Sequence, residues 1–323
     1  MAASGQSQVF KFYHFFCNKL VTAILNPINF STSPAIYGWK PAAWLRVTGD
    51  DAANFLQGQF TNELRGLVPG GCVYGLWLNV KGKVLADSFV LRGSAANEFW
   101  VGSYFSPAAT IQARLESHVI ADDVMIEDRT AEWSAVTRWG GDGDGVQTWE
   151  PLEGFVFAGR RGEAPSVEWV FPVSRLNEVR EKIFDVSELT AAEVTRRRIA
   201  AGIPAIPLDL GTADLPNEAA LETEAISYTK GCYLGQEVMA RLKAMGQVRR
   251  RLLRVRGPAG ALPAVPAPLF AGERQAGELR SVAAESDGAW IGLAMISLLH
   301  LSSDGLVALA PGAAATVRVI DRP

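Results

Sequence analysis

The stretch Cys72–Leu91 constrains the fold most. Two runs rich in apolar and β-forming residues, Cys72 to Asn79 and Val84 to Leu91, are separated only by Val80-Lys81-Gly82-Lys83. Runs of that length joined by a short glycine-bearing turn read as a hairpin. A hairpin commits its neighbours to an antiparallel sheet, and the flanking pattern agrees. Ala43 to Thr48 alternates like a strand, and Gly49-Asp50-Asp51 opens a short helix that shows Ala52, Phe55 and Leu56 on one face and stops at Gly58. Glu98 to Gly102 reads as a third run, Pro107 to His118 as a helix and Val124 to Glu127 as a closing strand. Strand, helix, strands, helix, strand is the order of an α+β unit close to ferredoxin-like. Cys72, at a strand start among apolar residues, is expected in the core.

A second α+β unit follows. Ser134 to Trp139, Phe155 to Ala158 and Glu168 to Phe171 are its strands and Arg175 to Phe184 its helix, around a glycine-rich surface loop at Gly140–Gly145. The acids of that loop lack calcium-loop spacing. Thr190-Ala191-Ala192-Glu193 has the form of a capping box, and the helix it starts ends at Gly202, before Pro204. Arg196, Arg197 and Arg198 near its C-terminus complement the helix dipole or form an anion site. In the last ~70 residues, glycine and proline punctuate five short runs, the pattern of a small antiparallel barrel. The expected division is 1–33 unassigned, 34–130, 131–247 and a barrel over 248–323.

The chain has 323 residues, a net charge of −3 and 20% charged residues, an ordinary soluble composition with no global preference for polyanions. Cys17, Cys72 and Cys232 are distant from one another, and the histidines are only His14, His118 and His300. Neither a disulfide framework nor a self-contained metal site is expected, and a reducing compartment fits. No apolar run reaches the ~18 residues of a membrane span. Residues 1–33 lack the layout of a secretory signal, and no arginine precedes Arg46, which argues against a mitochondrial transit peptide. A cytoplasmic monomer is expected.

Chemistry concentrates at Lys230-Gly231-Cys232-Tyr233-Leu234-Gly235-Gln236-Glu237. Gly231 removes a side-chain screen beside the sulfur, and the cations Lys230 and Arg241 favour a thiolate. Gln236 and Glu237 suit the edge of a polar heterocycle. The plain alternative is a turn around a small buried cysteine. From Val238 to Arg256 there are seven bases and no acid. A solvated face is one reading of that run; the carboxylates of a ligand or RNA phosphates are others. No aromatics are interleaved, so base stacking is not indicated.

The Lys-Gly-Cys-Tyr-x-Gly-Gln-Glu string resembles the signature of the YgfZ-type folate-binding proteins, relatives of the glycine-cleavage T-protein (an aminomethyltransferase) and of a mitochondrial iron–sulfur assembly factor. A second block, Val47–Ala52 through Phe55–Asn62, is similar to the N-terminal block shared by the YgfZ and T-protein families, and Arg-Ile-x-x-Gly-Ile-Pro at 198–204 is similar again. The resemblance covers residues 43–323. It implies α+β units around a central folate pocket completed by a C-terminal barrel. It implies tetrahydrofolate or a one-carbon derivative as ligand, and a role supporting iron–sulfur cluster assembly or repair, and through it tRNA modification. Cluster-dependent client enzymes would be the partners. Glu218, in Pro216-Asn217-Glu218, stands where the T-protein holds the pteridine ring. Asp87 matches an aspartate that assists the folate reaction there, although Ala86 replaces the adjoining acid and a solvent-facing strand position is the alternative for Asp87. Lys230, Gln236, Glu237 and Arg241 would contribute to binding. The T-protein lacks the cysteine, so Cys232 favours an accessory factor with an exposed thiol. A single thiol cannot hold a cluster alone. A folate-dependent aminomethyltransferase-like enzyme and an interaction module for tRNA-modifying enzymes are the other readings.

Overall fold

The computed structural model describes residues 34–140, 154–183 and 186–321. The expectations for residues 1–33, including His14 and Cys17, for the loop beyond Gly140 and for Phe184 lie outside them.

The first sheet contains β2 (Ala43–Thr48), β3 (Cys72–Leu78), β4 (Val84–Arg92), β5 (Phe99–Ser103) and β6 (Met125–Asp128), in the order β3-β4-β5-β2-β6. All its pairings are antiparallel, and β3 and β4 form the expected hairpin. Helices α1 (Ala52–Gln59) and α2 (Ala108–Glu116) cover one face. They bury Phe55, Leu56, Ile111 and Leu115 against Val47, Trp77, Ala86 and Val90. Strand side chains alternate, so Phe89 and Leu91 point to the opposite face, where Trp44, Trp100 and Tyr104 meet Ala135, Phe157 and Val170 of a second sheet. Four aromatic rings, Trp44, Trp100, Trp133 and Phe155, pack there with centroids 5.0–6.0 Å apart.

That second sheet has the order β10-β1-β7-β9-β8, from β1 (Ala35–Trp39), β7 (Trp133–Trp139), β8 (Phe155–Ala158), β9 (Ser166–Pro172) and β10 (Ser187–Glu188). Its outer face carries α3 (Leu176–Ile183) through Val179, packed on Ile36, Val136, Trp169 and Phe171. The layers are therefore helices, sheet, sheet, helix. Sheet membership does not follow the expected chain division: β1, inside 34–130, belongs to the second sheet, where it pairs antiparallel with β7 and parallel with β10.

Thr190 caps α4 (Ala191–Ala200) with both bonds of the box, Thr190 Oγ1 accepting from the Glu193 amide and Glu193 accepting from the Thr190 amide. The C-terminal strands β11 (Arg250–Gly257), β12 (Ala267–Ala271), β13 (Arg274–Ala284), β14 (Trp290–Ser297), β15 (Leu306–Val307) and β16 (Val317–Val319) run in the order β12-β13-β14-β11-β16-β15. The Phe270–Ala308 bridge brings the two edges together and nearly closes a barrel, leaving little free edge. Inside it Val255, Leu269, Leu279, Ala294 and Val307 form the core.

Between α4 and the barrel the chain runs irregularly, then forms α5 (Gln236–Met245). This segment does not pack as part of the second sheet. Ile206, Leu210, Leu221, Ile226, Tyr233 and Met239 bury against Leu76, Leu78 and Val84 of the first sheet and Met295 of the barrel.

Candidate functional site

Gly231 and Cys232 are exposed between two buried residues, Lys230 and Tyr233. Lys230 explains the local path of the chain. Its ammonium donates to the backbone carbonyls of Gln57, Phe60 and Asn62 at 2.7, 2.6 and 2.9 Å. Thr61 Oγ1 donates to Ala225 O, the Ser227 amide to Thr61 O, and Asn62 Nδ2 to Glu224 O. The α1 block and the cysteine signature, far apart in sequence, are thus stitched together. This corrects the expectation for Lys230: all three of its protons are engaged by backbone, so it is an anchor with none left for a ligand. Burial pulls its pKa down to about 8, while the three carbonyls hold the ammonium form.

Gly235 begins α5 in the left-handed region, φ +87, and its α-carbon side faces Asn79 O and Gly82 of the hairpin turn. The first turn of α5 is set against the β3–β4 turn by that contact. Gln236 is half-buried, and Glu237 and Arg241 are exposed on α5. These three therefore stand on the same helix just after the thiol, at the surface. Among the described residues, no three His, Cys, Asp or Glu side chains group as a metal site.

Glu218 lies in the single turn Pro216–Ala219 and is buried. The structure gives it a partner the sequence did not indicate. Arg250 donates from Nε to Oε1 and from Nη2 to Oε2, both at 3.0 Å, and the Leu215 amide donates to Oε2 at 2.7 Å. Most of its acceptor capacity is filled, and the bidentate seat expected for a pteridine holds an arginine. Arg250 also reaches Asp214, which in turn takes Arg280 at 2.7 Å. Arg198 likewise leaves the anion-site reading. It is buried and pairs with Asp209 at 2.6 Å, while its Nη2 donates to Ser281 of the barrel.

Immediately beyond Glu218 the situation is reversed. Asn217 Oδ1, Glu222 Oε2, Tyr228 OH and Tyr233 OH are buried and have no hydrogen-bond partner. The Asn217 amide is close enough to favour the Tyr228 anion, but the contact lacks hydrogen-bond geometry and both oxygens end unmatched. Burial first, then the Glu222 charge, raises the Tyr228 phenol; burial raises Tyr233 too, with Tyr228 adding to it. Lys243 Nζ lies 4.2 Å from the centre of the Tyr228 ring. An unmatched buried polar group costs about 1–3 kcal/mol, and these four atoms keep unused donor and acceptor capacity.

Asp87 faces the inter-sheet core and is buried, so the solvent-facing alternative is overturned. Oδ1 accepts from Ser103 and Ser106 at 2.8 and 2.7 Å, and Oδ2 from Tyr74 OH at 3.1 Å. Burial raises its pKa, against those three hydroxyls and the nearby Arg160. Arg160 stacks over the Tyr74 ring at 4.1 Å and pairs with Glu224. Burial opposes its charge, but Tyr74, Glu224 and Asp87 outweigh that and hold the guanidinium protonated. Arg160 and Tyr74 escaped sequence reasoning because their partners lie 64 and 13 residues away. Cys72 is half-buried, and burial pushes its thiol well up. The basic run is partly spent: Arg250, Arg254 and Arg256 are ion-paired with Glu218, Asp321 and Glu285, while Arg241, Lys243, Arg249 and Arg251 are exposed.

Two layered sheets, a stitched cysteine loop and a terminal barrel define a protein of the glycine-cleavage T fold. Residues 32–145 match the GCVT N-terminal domain and residues 249–322 the CAF17 C-terminal beta-barrel domain. The crystal structure of glycine cleavage system aminomethyltransferase T from Bartonella henselae superposes with a TM-score of 0.72 at 17% identity, covering 90% of this chain and 86% of that one. In sequence, the chain is similar to the mitochondrial iron-sulfur cluster assembly factor IBA57 of Mus musculus, 28% identical over 74% of this chain and 72% of that protein. It is also similar to the mitochondrial IBA57 homologs of Mycosarcoma maydis, 27% identical over 65% of this chain, and Cryptococcus neoformans, 26% over 66%. The match spans only 54% and 63% of those two proteins' own lengths. These relatives are mitochondrial, which overturns the cytoplasmic placement. That placement rested on the sparse, unpaired cysteines and on the make-up of residues 1–33, which lie outside the described structure. No helix among the described residues is long and apolar enough to cross a membrane.

Proposed function

We propose that this chain is a tetrahydrofolate-binding accessory protein of the YgfZ type that supports assembly or repair of iron–sulfur clusters in client enzymes, and through them tRNA modification. The observation that carries the reading is the exposed Cys232 thiol held between two buried anchors, in a chain similar to proteins named for iron–sulfur cluster assembly. A thiol so placed can ligate a cluster in transit, with the remaining ligands supplied by the other protein, since clusters take several thiolates. The cluster is cargo.

Folate enters through the fold, and the buried oxygens of Asn217, Glu222, Tyr228 and Tyr233 that have no hydrogen-bond partner support a polar ligand near this segment. When bound, it would supply a one-carbon carrier. Gln236 and Glu237 would border the ring, and Arg241 would meet the carboxylates of the glutamate tail by charge.

Aminomethyl transfer is the second reading, favoured by one feature: Asp87 is a buried carboxyl of raised pKa, the property of a catalytic acid. Against it, three hydroxyls already occupy that carboxylate. The test is complementation. In cells deprived of this protein, activity of a cluster-dependent dehydratase is expected to return with the native chain and not with Cys232→Ser at equal protein level. Equal rescue by both would overturn the thiol's role. Failure of the native chain to rescue would overturn the assembly reading.

A further inference from the structure

The barrel meets α4 and the segment 205–214 along a seam, and a cavity of about 490 Å³ opens there. Its lining comes from α4, that segment, Phe105 and barrel strand β13 rather than from the Cys232 loop. Phe105, Pro207, Leu208, Val265 and Pro266 supply apolar wall. Leu208 and Val265 are 66% and 40% exposed, so the mouth is apolar and open to solvent. A volume of this size, apolar walls and a place between parts of the fold are the marks of a small-molecule site. The walls are also fixed in advance. Arg280 Nη1 donates to Asp209 O at 2.8 Å, Ser106 Oγ to Ile206 O at 3.0 Å and the Asp209 amide to Ala205 O at 2.6 Å. A cavity held in this way loses little to ordering when it fills.

The polar groups of the lining decide what fits. Pairing with Asp209 uses one edge of the Arg198 guanidinium and leaves the other. Nη1 donates to Ile203 O and Asp209, and Nη2 to Ser281. The Nε proton and the second Nη2 proton have no acceptor among the described residues. The guanidinium lies 5.9 Å from the centre of the Phe105 ring, so these donors adjoin the apolar wall. Arg280, on the barrel side, has two acids for one charge: buried Asp214 at 2.7 Å and Glu278 at 3.0 Å, whose side chain is 44% exposed. Glu278 gives Arg280 only Oε1, and its Oε2 has no donor among the described residues. Arg198 is matched by Asp209, Arg280 by Asp214 and Arg250 by Glu218. Glu278 is therefore a surplus negative charge on the wall. It disfavours an anion and leaves one strong acceptor facing one unused pair of donors.

We infer that the seam cavity is a binding site for a neutral, apolar small molecule carrying a carboxamide. The amide carbonyl accepts from Arg198, its N–H donates to Glu278, and the apolar body lies against Phe105, Pro207 and Pro266. The inference does not depend on the folate reading.

Calorimetric titration with 1-naphthamide and with 1-naphthoate tests it on the native chain, Thr195→Trp, Glu278→Gln and Arg198→Lys, with a thermal melt of each unliganded protein. The native chain is expected to bind one 1-naphthamide saturably and 1-naphthoate at least tenfold more weakly. Thr195 lines the cavity from α4 and makes no hydrogen bond to the described residues, so Thr195→Trp should fill the space and abolish binding without lowering the melting temperature. Glu278→Gln is expected to weaken the amide severalfold and to narrow the gap between amide and carboxylate. Arg198→Lys keeps a charge opposite Asp209 but loses the planar fork. While folded, it should bind the amide about tenfold more weakly, the scale of a hydrogen bond to a charged group. Tetrahydrofolate, with the carboxylates of its tail, is expected not to displace the probe. No saturable binding by the native chain, undiminished binding by Thr195→Trp, a carboxylate that binds as tightly as the amide, or displacement by tetrahydrofolate would each overturn the inference.

Discussion

Asp87 shows how burial and hydrogen bonding contend at one carboxyl. Burial raises its folded-state pKa above 3.8, and Ser106, Ser103, Arg160 and Tyr74 only partly offset this. A carboxyl whose pKa rises on folding contributes stability that is full below its unfolded value and lost as pH climbs through the folded one. The native chain is therefore expected to lose stability from this group as pH rises above about 4. Asp87→Asn should flatten that part of the profile, as measured by denaturant unfolding across the window. An unchanged profile would mean that the three hydroxyls and Arg160 cancel the burial. At this scale the sequence was legible only in part. Cys232 and Asp87 stood out by motif, and Cys232 is exposed as the glycine beside it suggested. Lys230 and Glu218 also stood out, but their partners, the Gln57, Phe60 and Asn62 carbonyls and Arg250, lie in distant segments. Local spacing carries no information about such contacts.

Among the helices, α5 is the one the residue pattern did not announce. Its ten residues, Gln236–Met245, were read as a basic run. Most strands and helices α1 to α4 were legible because their periodicity and caps are local; β1 and β10 were not, since β1 is held by pairing with β7, across the whole first unit, and with β10. The register of α5 depends on Gly235. A β-carbon there would sit 2.9 Å from Asn79 O, on a backbone with φ +87. Gly235→Ala is expected to cost about 1–2 kcal/mol from the left-handed conformation, with further loss from the contact. Urea unfolding would show it as a lower midpoint at constant slope. A variant as stable as the native chain would mean that the turn and helix can part without loss.

At the scale of the molecule, three cores meet through buried ion pairs. Asp214 accepts from Arg250 and Arg280, both of barrel strands, and from the Gly211 amide. Arg198 of α4 reaches Asp209 and Ser281. The barrel is thereby pinned to the segment carrying Glu218. Removing one member of a buried pair costs about 3–5 kcal/mol, so Asp214→Asn should loosen the barrel from the layered sheets. Unfolding followed by circular dichroism and by tryptophan fluorescence should then separate into non-coincident transitions. Coincident curves would show that apolar packing alone keeps the parts cooperative. The barrel itself was legible from its punctuated runs, but its attachment was not, since the paired residues are 66 and 36 positions apart.

The stitching of Lys230 also sets how far the sulfur can travel. Cys232 has a buried anchor two residues before it and another, Tyr233, immediately after. An extended chain spans at most ~3.6 Å per residue, so the thiol is on a leash of only a few ångströms. It cannot swing out to deliver what it holds. Whatever receives from it must carry its own acceptor to this face and present it at bonding distance, so selection among recipients falls to the shape and charge of the approaching surface.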